Sequence, residues 1–273
     1  MIALVSDSNA ILPGPLASRL DLMVVPLGVV VDGVALREDI DLDLGAFYAR
    51  LRAGASVTTS SPAPGDFVEV YQELASAGAT DIVSIHVGSA YSGTVNAAQI
   101  AARVVGRPVH VVDSGTASFA LGCCIWSAAD TRADGGDVAA IIAAARRVPA
   151  ATTSVFTVGE PARARSGGRV DVVEVSVGTP VVAMDATATM QLEPARDVAD
   201  AVQTMTEHLR VRLSGPARIG VGDADIPEAG DALFEALGAL PDVAELVRYR
   251  VGPTVAAHTG AGTFGAVAWQ LTD

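Results

Sequence analysis

The sequence has 273 residues, half of them hydrophobic but only 4% aromatic, and carries a formal net charge of −13. That length accommodates one large or two modest domains with a sizeable core, which Ala, Val and Leu must fill. The acidic balance argues against non-specific binding to nucleic acid or to an anionic membrane, because phosphates would be repelled.

Ile2 to Val5 form a short apolar run ending in Ser6-Asp7-Ser8-Asn9, which predicts a strand with polar residues at its carboxyl end. No basic segment precedes these apolar residues, so no signal peptide is expected. Met23 to Val31 and Val34 to Leu36 flank Asp32-Gly33, a hairpin signal. Leu44 to Arg52 has helical spacing. Thr58 to Asp66, with four consecutive hydroxyl side chains, is expected to be a loop, and Phe67 to Leu74 a helix with Asp66 near its start.

Asp81 to Thr94 is the most informative stretch. Ile82, Val83, Ile85 and Val87 form a nearly continuous apolar run, the pattern of a strand buried on both faces of a parallel sheet. It breaks into Gly88-Ser89-Ala90-Tyr91-Ser92-Gly93-Thr94, and an alanine-rich helix is expected from Val95 to Val105. Small hydroxyls at the carboxyl end of such a strand lie where open α/β sheets bind ligands. A third strand, Pro108 to Val112, closes on Asp113-Ser114, and helices follow at Ser118 to Ala133 and Val138 to Arg147. Alternating strands and helices predict a parallel α/β sheet for the first half.

The second half is mixed. Strands are expected at Ser154 to Val158, Val170 to Val177, Val181 to Met184, Gln191-Leu192, Arg218 to Val221, Glu245 to Val251 and Ala266 to Leu271. Asp197 to Leu213 and Glu228 to Leu237 have helical patterns. The expected architecture is α/β: a parallel-sheet N-terminal domain over residues 1–155 and a smaller α+β C-terminal domain over residues 156–273. The longest apolar stretch, Ala117 to Ala129, is too short to span a bilayer of about 30 Å. Together these features predict a soluble, cytoplasmic protein.

Few motifs carry chemistry. Gly260-Ala261-Gly262-Thr263-Phe264-Gly265 matches G-x-G-x-x-G as a string, but a strand follows it where the dinucleotide fingerprint needs a helix. The adjacent Cys123 and Cys124 make neither a zinc site nor a disulfide framework and read as buried thiols. Among the histidines, His110 and His208 read as structural and His86 as a core or hydrogen-bonded residue. His258 opens a polar, glycine-rich turn from which an imidazole can reach a ligand. A hydrolase or acyl-transferring enzyme would need Ser92 beside His258, with Asp7 or Asp113 orienting the ring. A sugar- or polyol-binding module is a further alternative.

Six segments in order resemble the DegV family of bacterial fatty-acid-binding proteins over essentially the whole chain. They are Val5-Ser6-Asp7-Ser8, Thr59 to Phe67, Ile85-His86 through Ser92-Gly93-Thr94, Val112-Asp113-Ser114 with Ala117-Ser118, Gly167-Gly168-Arg169-Val170, and His258 to Thr263. The family usually has T-S-Q-P where Thr59-Ser60-Ser61-Pro62 stands, and H-T-G-P-G where Ala261 replaces proline. The resemblance implies one two-domain unit enclosing a lipid tunnel. A long-chain fatty acid such as palmitate would have its carboxylate held by Thr59 and Ser92, with His258 close by. No other cofactor, no metal and no catalytic residue is implied. It also implies a separate fatty-acid kinase that forms the acyl phosphate, with Arg169 facing that partner or the phosphate. On this basis the chain is expected to be a binding protein, with no nucleic-acid partner and no integral membrane association.

Overall fold

The structure, a computed structural model, describes residues 1–169 and 177–271. The first elements are β1 (Ile2–Asp7), α1 (Gly14–Leu20), β2 (Met23–Val25), β3 (Gly28–Val31), β4 (Val34–Arg37), α2 (Leu44–Arg52) and β5 (Val57–Ser60). They are followed by α3 (Pro64–Ser76), β6 (Asp81–His86), α4 (Thr94–Ala102), β7 (Val109–Asp113), α5 (Phe119–Ala133) and α6 (Val138–Arg147). Then come β8 (Thr152–Thr157), α7 (Pro161–Gly167), β9 (Val181–Met184), β10 (Thr189–Gln191) and α8 (Val198–Arg212). The chain closes with β11 (Ala217–Asp223), α9 (Pro227–Gly238), β12 (Val243–Arg250), α10 (Pro253–Thr259) and β13 (Phe264–Gln270).

Two compact units are formed, one from residues 1–42 and 57–149, the other from residues 43–56 and 150–273. The first is built on a parallel sheet in the order β2-β1-β6-β7, as the alternating pattern predicts. Its strands are apolar on both faces because helices cover both. Phe67 and Tyr71 of α3 and Ala97, Ala98 and Ala101 of α4 pack with Ala3, Val5 and Ile82 in one buried cluster. Helix α5 lies against β1 and β6, and α6 against β6. The connection from β1 leads to β2 on one side, and that from β6 leads to β7 on the other. The carboxyl ends of β1 and β6 therefore form the topological switch point, the place where such sheets take their ligands.

A second, antiparallel sheet has the order β4-β3-β5. Its hairpin turns at Asp32 and Gly33, with φ of 49° and 84°. Both are left-handed, which suits the twist of the flanking strands and a glycine at the second position. Two expectations change here. The single strand expected over Met23 to Val31 is split at Pro26: β2 joins the parallel sheet and β3 the antiparallel one. The loop expected over Thr58 to Asp66 begins instead as β5, in which Thr59 pairs with Val29. Hydroxyl side chains resemble a loop in the sequence, yet on a sheet edge they can face solvent while the backbone stays paired.

The second unit carries a six-stranded sheet, β10-β9-β8-β13-β11-β12, antiparallel except for β11 and β12. Met205 and Leu209 of α8 and Leu233 and Leu237 of α9 close its core over Val155, Ile219 and Val221. Helix α2 belongs to this unit. Tyr48 donates to the Val251 carbonyl at 2.6 Å, and Arg52 pairs with the Asp225 side chain and donates to its carbonyl at 2.7 Å. Of the strand expected at Val170 to Val177, residues 170–176 lie outside the described residues. Helix α7, not expected from the sequence, starts at Pro161 and stops at Gly168, whose φ is 62°. Proline at a first helical position and glycine just past the last are the local signals for such a helix. Among the described residues, no helix is long and apolar enough to cross a membrane.

Candidate functional site

In the first unit the hydroxyl-bearing segments converge at the switch point. Strand β6 ends at His86, and residues 87–93 form a turn before α4. Ser92 Oγ lies 2.8 Å from Thr94 Oγ1 and 3.2 Å from Ser61 Oγ. The segment after β5 is thereby tied to the loop after β6. Thr59 is half-buried on β5, two residues before Ser61. A row of neutral hydroxyls can donate to an anionic oxygen without a buried counter-ion, whose desolvation would cost several kcal/mol. Ser61 and Thr94 are members that sequence reasoning passed over as site residues. Their only signal was position within hydroxyl-rich runs.

The Ser92 loop is held by three consecutive amides. Val87 N–H donates to Asp7 Oδ2 at 3.0 Å, Gly88 N–H to the Thr116 carbonyl at 2.8 Å, and Ser89 N–H to Asp113 Oδ1 at 3.2 Å. Tyr91 and Ser92 N–H both return to the Gly88 carbonyl. Gly88 is required by close approach: a Cβ there would lie 2.8 Å from the Gly115 carbonyl carbon and 3.0 Å from Thr116 N. Burial raises the Asp113 pKa, but the hydrogen bonds from Ser89 and from the Gly115 amide outweigh it and leave the group below its usual value.

Beneath the loop is a second, fully buried constellation. His86 Nδ1 is 2.9 Å from Asp7 Oδ2, His86 Nε2 is 2.6 Å from Ser84 Oγ, and Ser84 Oγ is 2.7 Å from Tyr71 Oη. His86 thus behaves as the hydrogen-bonded core histidine its place on an apolar strand suggests. Asp7 and Asp113, the carboxylates that a Ser92-His258 enzyme would need, are committed elsewhere: Asp7 to His86 and Val87, Asp113 to Ser89 and Gly115.

His258 and Arg169 lie in the second unit. His258 does not open a turn; it sits in the last turn of α10, which starts at Pro253 and ends at Gly260. Pro253 starts a helix in the apolar run before His258. Gly167, at the end of α7, faces the imidazole so closely that a Cβ would lie 2.8 Å from Nδ1. Burial, then the charges of Arg169 and Arg163, hold the His258 pKa below its usual value, so the ring is neutral at neutral pH. Arg169 is exposed and donates to the Gly167 carbonyl. Glu160 pairs with Arg163 at 2.9 Å and accepts from Ala261 N–H at 3.2 Å, which ties α7 to the turn after α10.

Among the described residues, no group of three His, Cys, Asp or Glu side chains could hold a metal ion. Cys123 and Cys124 are buried and form no disulfide, and burial pushes the Cys124 thiol up to about 12.

The fold is thus an α/β protein whose parallel-sheet switch point carries the hydroxyls of Ser61, Ser92 and Thr94. The chain belongs to the DegV family, whose model matches residues 1–270. A DegV domain-containing protein of Streptomyces coelicolor is 35% identical over 273 residues, covering 97% of each chain. Among solved structures, a DegV family protein from Thermus thermophilus described by its fatty-acid binding is 30% identical, with a TM-score of 0.87 over 99% of each chain. DegV of Bacillus subtilis, described as a fatty acid binding protein, is 27% identical with the same TM-score and coverage.

Proposed function

We propose that this protein binds a long-chain fatty acid, with the carboxylate held by Thr59 and Ser92 and the acyl chain in an apolar tunnel. The observation that carries this reading is the chain of hydroxyls Ser61, Ser92 and Thr94 at the switch point. Relatives of the same length and fold that are described as fatty-acid-binding support it. About 14 methylenes at roughly 0.8 kcal/mol each offer on the order of 10 kcal/mol gross. The tail therefore supplies affinity and the hydroxyls set which end is held.

The bound acid is then presented to a separate kinase that phosphorylates the carboxylate. Arg169 and His258 face that partner or the incoming phosphate, His258 as a neutral imidazole and Arg169 as a fork for phosphate oxygens. The chain itself acts as the binding subunit. The rival reading, acyl hydrolysis by Ser92 and His258, loses support from the engagement of Asp7 and Asp113 with other groups.

Native mass spectrometry of protein purified from bacteria tests the proposal. A co-purifying fatty acid, displaced by added palmitate, is the expected result. Retention of a sugar, or of no ligand together with failure to take up palmitate, overturns it.

A further inference from the structure

We propose that Asp7, His86, Ser84 and Tyr71 form a buried, directionally ordered hydrogen-bond chain that positions both hydroxyl segments of the acyl-carboxylate site. The proposal rests on the fatty-acid reading above. All four side chains are removed from solvent, each 0% exposed. This Ser-His-Asp arrangement has the connectivity of a hydrolase triad, but no substrate reaches Ser84, so its work must be done through what it holds.

The order of donors follows from the chemistry of the groups. Asp7 accepts a backbone N–H on each carboxylate oxygen, so His86 Nδ1 is the donor at the 2.9 Å contact. With the ring proton on Nδ1, Nε2 is the acceptor and takes the Ser84 hydroxyl at 2.6 Å. Ser84, having spent its proton, accepts from Tyr71 at 2.7 Å. Asp7 also takes Val87 N–H on the same oxygen as His86, and Asn9 N–H on the other. The donors therefore run in one direction, from Tyr71 through Ser84 and His86 to Asp7.

Its two ends belong to, or bond to, the elements that continue into the two limbs of the site. At the Asp7 end, Val87 is the residue at which the Ser92 loop leaves β6. At the other, Tyr71 belongs to α3, the helix that directly follows Thr59, Ser60 and Ser61. Phe67, one turn earlier on α3, meets the His86 ring edge-on with centroids 5.0 Å apart. The chain thus links α3 to the Ser92 loop across β6, and its geometry sets how the Ser61 and Ser92 hydroxyls meet. Asn at position 7 cannot replace the carboxylate. Whichever way its amide is turned, the NH₂ confronts one of the N–H donors of Asn9 or Val87, and a buried donor is left unpaired.

The test is palmitate affinity of Asp7→Asn and Tyr71→Phe, each alone and combined with Ser92→Ala, with ¹⁵N NMR of His86 in the unaltered protein. The expected losses are about 10-fold or more for Asp7→Asn and about 2- to 10-fold for Tyr71→Phe. Both should shrink when Ser92 is already alanine, because residues that act as one unit are not additive. The imidazole should show the Nδ1–H tautomer. Tyr71→Phe keeps the ring packed on Phe67, so it carries the test if Asp7→Asn fails to fold. Unchanged affinity, equal fold-losses in both Ser92 backgrounds, or an Nε2–H tautomer overturns the positioning role alone. No palmitate uptake by the unaltered protein overturns the fatty-acid reading and, with it, this one.

Discussion

Ser61 and Ser92 place their hydroxyl oxygens 3.2 Å apart, joining the segment after β5 to the loop after β6. The contact joins hydroxyls from the segments that follow strands of two different sheets. Their mutual hydrogen bonds preorganise the hydroxyls on which the proposed carboxylate site rests.

Ser92→Ala and Thr59→Val should each weaken palmitate binding by about 1.5–3 kcal/mol, the worth of a hydrogen bond to a charged group. Calorimetry at constant salt measures this directly. Unchanged affinity in both variants would take the carboxylate away from these hydroxyls.

Gly88→Ala should lower stability by about 1–3 kcal/mol, as overpacking against an immovable neighbour does. The new Cβ would sit 2.8 Å from a backbone carbon of Gly115, and backbone cannot swing aside as a side-chain end can. Chemical denaturation checks the loss. A variant as stable as the unaltered protein would mean that the Ser92 loop is not held as tightly as this contact requires.

Acid should destabilise the second unit through His258. Its folded pKa lies below the ordinary value of 6.5, because burial and the neighbouring Arg169 and Arg163 disfavour the charged ring. The unfolded chain therefore binds a proton more readily, and stability falls as pH drops below about 6.5 toward the folded pKa. His208, depressed mainly by burial and then by Arg212, adds to the same trend. His258→Gln should flatten part of this dependence in melts between pH 7.5 and 5, conditions chosen to bracket the ordinary histidine range. An unchanged slope would remove His258 from the effect.

Arg169→Ala should leave lipid retention intact and reduce turnover by a partner kinase. His258→Ala should reduce acyl-phosphate formation more than lipid binding. Arg163 and Arg165 stand nearby on α7, so a partial loss from Arg169→Ala is expected. If lipid is lost while turnover per bound lipid stays the same, Arg169 belongs to the binding site and not to the partner face.

Periodicity and motif order were enough to locate the parallel sheet, the hairpin at Asp32-Gly33 and the loop that carries Ser92. Each depends on local physics: a strand covered on both faces must be apolar throughout, and a two-residue turn needs left-handed backbone. The same local reading misplaced Thr59 in a loop and His258 in a turn. What decides a hydroxyl-rich edge strand is its partner, here β3, and what decides a short apolar segment before His258 is the helix started by Pro253. The partner strand is not visible in a window of a few residues, whereas Pro253 and Gly260 are local signals of the helix that the glycine-rich turn pattern masked.

Composition, the apolar run of β6 and the hydroxyl motifs around it determined by themselves that this chain is an α/β protein with a polar site at a strand's carboxyl end. Only the tertiary structure decided that Asp7 faces His86, 79 residues away, and that Ser61 meets Ser92. It also sent residues 43–56 to the second unit, where Tyr48 and Arg52 find Val251 and Asp225. The physical reason is common to all three. Parallel pairing, helix docking and buried hydrogen bonds join residues distant along the chain, and the energy that selects one partner over another is realised only when the core excludes water.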